Sequence, residues 1–266
     1  MAARRRLDTE LVRRGLARSR EHAADLVSSG RVRVAGRPSV KPATAVESSV
    51  GIAVIGDPTD DYASRGAHKL VGALDAFAQS LDPEGRRCLD AGASTGGFTD
   101  VLLRRGAEIV YAVDVGYGQL DLRLRRDPRV VVLDRTNVRE LSADALDGPV
   151  DLVVADLSFI SLRLVLPALV GCARPDADLL LMVKPQFEVG RDLLGAGGVV
   201  RDPDLRVRAV EAVADEAAVL GWGVAGMTAS PLPGPSGNVE YFLWLRRDAP
   251  ALDPHDLSQA IAQGPP

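Results

Sequence analysis

Few residues in this 266-residue chain are cysteine, histidine or aromatic, and each scarcity narrows what it can be. The two cysteines, Cys88 and Cys172, sit in separate apolar segments and frame neither a disulfide scaffold nor a metal site. They are expected as buried thiols in a reducing, cytoplasmic setting. The three histidines, His22, His68 and His255, show no ligand spacing with Cys or Asp, so no metal is expected. No run approaches 18 apolar residues, which excludes a hydropathy-defined membrane helix. Residues 2–14 are charged and lack an apolar core, which argues against a secretory signal. Residues 1–55 lack Phe, Trp and Tyr, so base stacking should be minor there.

What the chain does have is an ordinary globular composition, 46% hydrophobic and 26% charged, with a charge asymmetry hidden inside a net −4. Residues 1–50 carry eleven Lys/Arg against five Asp/Glu, or +6, which leaves −10 for the remainder. A basic head on an acidic body suggests that the head meets a polyanion.

The periodicity of the head predicts two short helices and a hairpin. Leu7, Leu11, Val12 and Leu16 recur at helical spacing; Ser19 can cap a second helix that ends near Gly30. Arg31-Val32-Arg33-Val34 alternates like a half-buried strand and turns at Ala35-Gly36. Residues 56–63 lose periodicity and gain turn formers, marking a linker. The expected organisation is a head at 1–55, a linker at 56–63, a body at 64–246 and a tail at 247–266 with one short helix.

The body alternates apolar runs with helical patterns. Strands are predicted at Arg87–Asp90, Ile109–Asp114, Val130–Asp134, Leu152–Asp156 and Leu179–Lys184, with later ones at Gly223–Thr228 and Val239–Leu245. Helices are predicted at His68–Gln79, Thr99–Arg105, Leu162–Cys172 and Pro203–Leu220. This is an α/β, Rossmann-like pattern with a largely parallel sheet, whose ligands bind beyond the carboxyl ends of the strands.

Those ends read Asp90, Asp114, Asp134, Asp156 and Lys184. One strand-end Asp is an ordinary turn residue, but four in succession suit a ligand with hydroxyls, an amine and positive charge better than a pyrophosphate. S-adenosyl-L-methionine has all three. The first strand turns through Asp90-Ala-Gly92-Ala-Ser94-Thr-Gly96-Gly97-Phe98, which has neither the dinucleotide Gly-x-Gly-x-x-Gly spacing nor a P-loop ending. The candidate cofactor residues are therefore Asp90, Gly92, Ser94, Gly96, Gly97, Phe98, Asp114 and Asp134.

This loop resembles that of class I methyltransferases, in the form used by FtsJ-like ribose 2'-O-methyltransferases. The resemblance implies a Lys-Asp-Lys-Glu catalytic set, matched by Lys69 in Gly-Ala-His-Lys-Leu, Asp156 in Val-Val-Ala-Asp-Leu-Ser, Lys184 in Met-Val-Lys-Pro-Gln-Phe-Glu and Glu240 in Gly-Asn-Val-Glu-Tyr. Singly, each has a plainer explanation: Lys69 as an exposed lysine in a first helical turn, Lys184 as a solvated strand end, Glu240 as a strand start. His68, beside Lys69, reads as structural or substrate-facing.

The head, through Arg-Leu-Asp, Ser-Arg and Gly-Arg-Val-Arg-Val-Ala-Gly, resembles an S4 RNA-binding domain of α+β type. S4 joined to an FtsJ-like body is similar to the TlyA family, also labelled hemolysins, over roughly residues 4–246. That implies cytidine 2'-O-methylation of ribosomal RNA, free or in ribosomal subunits. The expected RNA contacts are Arg4, Arg5, Arg6, Arg18, Arg20, Arg31, Arg33 and Lys41. In the implied chemistry Lys184 is the base and Lys69 a neighbouring cation, while Asp156 and Glu240 orient them.

Three other classes fit less well. A non-catalytic ribosome-assembly factor would not need both lysines and all the carboxylates. A membrane-acting hemolysin lacks an apolar span or a strongly amphipathic membrane helix. A nicotinamide-dependent dehydrogenase has different glycine spacing.

Overall fold

A computed structural model describes residues 4–17, 19–39, 41–55, 62–234 and 236–265, and for residue 191 the backbone alone. Most of the expected linker, residues 56–61, lies outside them, as does the RNA-contact candidate Arg18. Contacts divide the chain into two units, Met1–Arg65 and Gly66–Pro266.

The first unit contains β1 (Arg4–Arg6), α1 (Leu7–Arg13), α2 (Arg20–Ser28), β2 (Val32–Val34), β3 (Arg37–Pro38), β4 (Ala45–Glu47) and β5 (Ile52–Val54). The two helices and the β2–β3 hairpin follow the sequence expectation. Ser19 caps α2 by accepting the His22 amide at 3.1 Å. Ala35 and Gly36 both take positive φ, 50° and 78°, the left-handed pair that matches strand twist in a two-residue turn. The expectation omitted β1, β4 and β5. β1 pairs with β4, and β5 pairs with β2 on the side opposite β3, all antiparallel. Leu7, Leu11, Leu26, Val27, Val32 and Val46 form the core between them.

The second unit begins with α3 (Ala67–Ala76) and continues through β6 (Arg87–Ala91), α4 (Gly97–Arg104), β7 (Ile109–Val113), α5 (Leu122–Arg125) and β8 (Val130–Leu133). Then come β9 (Val150–Ala155), α6 (Leu166–Cys172), β10 (Ala173–Val183), α7 (Pro185–Glu188), α8 (Pro203–Val219), β11 (Gly223–Ala229), β12 (Tyr241–Arg246) and α9 (Pro254–Gln263). One seven-stranded sheet takes the order β11-β12-β10-β9-β6-β7-β8. β6 to β10 run parallel, and β12 is antiparallel between β10 and β11. This is the expected α/β, Rossmann-like architecture with a largely parallel sheet. Its central strands are apolar throughout because both faces are covered: Leu152–Ala155 and Leu179–Val183 are almost fully buried. Cys88 and Cys172 are buried thiols.

One strand start needs correction. β10 begins at Ala173, not Leu179; Pro175 falls in an irregular stretch, between Ala173 and Asp178, where the pairing with β9 shifts register. Residues 247–266 carry the one short helix expected there, α9, and pack on the second unit. Val224 N donates to the Pro250 carbonyl at 2.7 Å, and Leu257 and Ala260 of α9 join the main core.

Chain order reverses at β6. The chain moves outward through β7 and β8, then returns to place β9 on the other side of β6. The carboxyl ends of β6 and β9 therefore flank a crevice at the switch point, where ligands of open α/β sheets bind.

Candidate active site

A cleft of about 500 Å³ opens at that crevice. Gly92 and Ser94 from the loop after β6, Asp114 after β7, Thr136 and Asn137 after β8, and Asp156 to Ile160 after β9 line it. Gly92 is required there. Its φ is +89°, and a Cβ would sit 2.7 Å from the Asp156 carbonyl oxygen, so only glycine lets the two loops close together. Asp114 braces the loop, accepting the Ser94 amide at 2.8 Å and the Gly116 amide at 2.7 Å. The cleft is lined by two carboxylates and by no Lys or Arg among its described residues. Such a lining disfavours a pyrophosphate and fits a cationic ligand carrying hydroxyls and an amine.

The other expected cofactor residues stand behind this surface. Asp90 is fully buried; Oδ2 accepts the Thr99 hydroxyl at 2.7 Å and Oδ1 has no hydrogen-bonded partner. Burial pushes its carboxyl up to about 7, opposed by the Thr99 hydrogen bond and reinforced by the charge of Asp156. Gly96 caps α4 with φ +97° and Gly97 opens that helix. The Phe98 ring stacks on Phe242 at 6.1 Å between centroids, a core contact. Asp134 accepts two hydrogen bonds from Arg125 at 2.9 Å, which hold its carboxyl below the usual carboxylate range, and it does not line the cleft. Thr136 and Asn137, which the sequence did not single out, take the place expected for Asp134.

Beside the cleft, four titratable side chains assemble as two ion pairs. β9 ends at Ala155 opposite Leu181 of β10, and Val183 of β10 stands opposite Tyr241 of β12. That register brings the residues just beyond, Asp156, Lys184 and Glu240, to one edge of the sheet. Lys184 Nζ lies 2.5 Å from Asp156 Oδ1 as an ion pair without hydrogen-bond alignment, and donates to Ser158 Oγ at 3.0 Å. Lys69, from the first turn of α3, donates to Glu240 Oε2 at 2.5 Å, and its Nζ is 4.0 Å from Met182 Sδ on β10. Lys69 is 7% exposed, Lys184 6% and Glu240 0%, so neither lysine is a solvated surface residue. Glu240 Oε1 has no hydrogen-bonded partner and fills the space that a side chain at Gly234 would need.

In the first unit, Arg4 and Arg5 are exposed on β1. Arg6 and Arg20 both reach the buried Asp8, at 2.7 and 3.4 Å, while each remains more than half exposed. Arg31 donates to the Ile55 carbonyl at 2.8 Å, Arg33 is half-buried on β2, and Lys41 is exposed. The sequence did not single out Arg14, which fixes the Ser48 and Val50 carbonyls and the buried Glu10.

The sequence also passed over Ser158 and Glu188. Each lies in a quoted motif, two residues past Asp156 and four past Lys184. Glu188 is buried and accepts from Ser161 Oγ at 2.5 Å and from the Leu162 amide at 2.7 Å.

Residues 62–247 match the FtsJ-like methyltransferase family, and residues 5–51 match the S4 domain. The chain is 63% identical, over 270 residues and the whole of both chains, to the 16S/23S rRNA (cytidine-2'-O)-methyltransferase TlyA of Mycobacterium tuberculosis. It is 34% identical to the 23S rRNA (cytidine-2'-O)-methyltransferase TlyA of Campylobacter jejuni, covering 69% of this chain and 70% of that one. A solved structure named as a hemolysin of Streptococcus thermophilus superposes with a TM-score of 0.77 at 37% identity, covering 99% of this chain and 96% of that one.

Proposed function

The chain belongs to the FtsJ-like methyltransferase family, with an S4 domain at its N-terminus, and from that premise we propose that it methylates cytidine 2'-hydroxyls of ribosomal RNA. The observation that carries the reading is the adjacency of the anionic cleft to the pairs Lys184–Asp156 and Lys69–Glu240. Full-length similarity to a 16S/23S enzyme supports a substrate in ribosomal subunits. No helix of the described residues is long and apolar enough to cross a membrane.

The cofactor is S-adenosyl-L-methionine, which supplies, when bound, an electrophilic methyl group on a cationic sulfur. Gly92, Ser94, Asp114 and Asn137 would hold it, with Asp90 supporting the loop from beneath. The chain's own residues then have three tasks. They align the ribose oxygen for in-line attack, an effect that can supply up to about 7–11 kcal/mol. They exclude water, and they take the hydroxyl proton. Lys184 accepts that proton at Nζ after losing its own to solvent before the substrate closes the site, and Asp156 holds the resulting ammonium. Lys69, from α3, and Glu240, just before β12, form the wall of the hydroxyl's site. The basic residues of 1–55 bind phosphates, and their rigid arrangement recognises the shape of the RNA.

The test is incubation of the purified protein with methyl-labelled S-adenosyl-L-methionine and separated, unmodified ribosomal subunits, with Lys184→Ala in parallel. Label in an alkali-resistant dinucleotide, absent with the variant, supports the reading. Cofactor binding with no label in either subunit refutes it.

A further inference from the structure

We propose that Glu188 is a positioning residue of the methyl-transfer site, acting through the turn Ser158–Leu162 to hold Ser158 and Asp156 against Lys184. The inference rests on the methyltransferase reading for its consequence in catalysis, but its geometry stands apart from that reading.

The turn after β9 and the segment after β10 meet at three successive places. Ser158 Oγ accepts from Lys184 Nζ at 3.0 Å. The rings of Phe159 and Phe187 pack at 5.4 Å between centroids. Ser161 Oγ and the Leu162 amide donate to the two oxygens of Glu188, at 2.5 and 2.7 Å. Arg163 adds its Nε to the same carboxylate at 3.4 Å and a bond to the Glu188 carbonyl at 3.3 Å. The carboxylate is buried, with 1% of its side chain exposed, so it must be satisfied by these donors.

Between the two anchored ends sits Phe159, with φ +65°. A bulky side chain in the left-handed region persists only where its surroundings over-determine it. Here the constraint falls on its neighbours in the turn: Lys184 holds Ser158 and Glu188 holds Ser161 and Leu162, and these two holders are four residues apart, joined by the single turn α7, which Lys184 itself caps. The general-base candidate and the clamp that fixes its partners therefore belong to one rigid piece. If Glu188 is lost, the turn is free to leave the left-handed conformation, and Ser158 and Asp156 are no longer held on Lys184. Glu188 does not itself line the cleft, and its carboxylate is bonded to Ser161, Leu162 and Arg163, so its effect is indirect.

Two measurements on the full chain test this, with Glu188→Gln and Glu188→Ala as variants. The first is competitive labelling of lysines by an amine-reactive reagent at pH 8, read by mass spectrometry; it does not depend on turnover. Lys184, now 8% exposed at its side chain, should label several-fold faster in Glu188→Ala, while Lys69 keeps its rate. Glu188→Gln keeps the shape and one acceptor oxygen, so it should fall between the wild type and Glu188→Ala. The second is steady-state methylation of ribosomal subunits, where kcat should fall about 10–100-fold with the KM for cofactor within about two-fold. A several-fold rise in Lys184 labelling alone supports the clamp, even if the wild type methylates neither subunit; that last result would refute the functional reading and not this one. Unchanged Lys184 labelling in a folded Glu188→Ala, or equal acceleration at Lys69 and Lys184, overturns the proposal. Should Glu188→Ala fail to fold, Glu188→Gln with wild-type labelling and wild-type kcat overturns it equally.

Discussion

Lys184 and Asp156 end two adjacent parallel strands, and the register of β9 against β10 sets the lysine ammonium 2.5 Å from the carboxylate. Each side chain sits one residue beyond its strand, so the sheet brings the pair together and the turn after Asp156 holds it there. With Lys184 as the proton acceptor, Lys184→Ala should reduce kcat by about 10²–10⁴-fold, the usual worth of a positioned base. Cofactor affinity should hardly change, because Lys184 does not line the cleft. Single-turnover methylation beside calorimetric cofactor binding separates the two quantities. Loss of binding in proportion to loss of rate would reassign Lys184 to the cofactor site.

Gly92 is the point where the loops after β6 and β9 touch. An added methyl group there meets a backbone carbonyl, which cannot rotate away, and the left-handed φ disfavours any L side chain by about 1–2 kcal/mol. Gly92→Ala should therefore weaken cofactor binding by more than about ten-fold while the sheet remains folded. A titration with S-adenosyl-L-methionine at matched thermal stability checks it.

How far the sequence revealed this site depended on whether the deciding contact was local. The strand-end positions of Asp114, Asp156 and Lys184 follow from apolar runs with polar ends, because buried parallel strands must be apolar until they emerge. Asp134 had the same signature as Asp114 but is taken by Arg125, a pairing that only the folded loop reveals. Phe98 lay inside the glycine motif yet faces Phe242, 144 residues later, which no local pattern announces. Three-residue strands such as β4 and β5 are too short to show alternation. Thr136, Asn137, Ser158 and Glu188 lie next to residues that were recognised. Their roles depend on side-chain direction across the crevice, which sequence spacing does not specify.

At the opposite end of the sheet, Asp178 joins three strands. It accepts from Arg86 at 2.5 Å and from Trp244 Nε1 at 2.7 Å, forms an ion pair with Arg246 at 3.4 Å, and is only 3% exposed. Without Asp178 both arginines still reach solvent, but the buried Trp244 Nε1 loses its acceptor, at about 1–3 kcal/mol. Asp178→Ala should lower stability to chemical denaturation by that order. Its kcat per folded molecule should stay near wild type, because the reacting residues lie beyond the far strand ends. A specific loss of kcat in fully folded protein would contradict this separation.

Asp90 predicts a pH dependence of stability. In the folded chain its carboxyl keeps the proton up to about pH 7; in the unfolded chain the ordinary value is 3.8. Between those values the folded state binds the extra proton, so stability from this group is greatest at low pH and falls as pH rises through the window. The difference is on the order of 4 kcal/mol. Urea unfolding at pH 5, 6, 7 and 8 should show the decline, and Asp90→Asn, which cannot ionise, should flatten it. A cationic ligand in the cleft favours the ionised form, so saturating S-adenosyl-L-methionine should also reduce the slope.

The first unit predicts its own signature in salt. Asp8 and Glu10 are buried carboxylates held below the usual range by arginines: Asp8 by Arg6, Glu10 by Arg13 and Arg14. Those arginines serve the fold as well as any ligand, so substituting Arg6 or Arg14 confounds binding with stability. Arg5 and Lys41 are the cleaner probes, being exposed and outside the Asp8 and Glu10 clusters. Each phosphate neutralised contributes about 0.7–0.9 to the slope of log affinity against log salt. Arg5→Ala and Lys41→Ala should each lower that slope by about this amount on the RNA substrate, equally across unrelated sequences, with no change in Tm. Arg6→Ala should lower both slope and Tm, because Asp8 keeps only the 3.4 Å contact with Arg20 as its remaining ion pair among the described residues. If all three variants retain the wild-type slope, the basic surface of 1–55 is a solvated face, and the phosphate contacts must lie in the second unit.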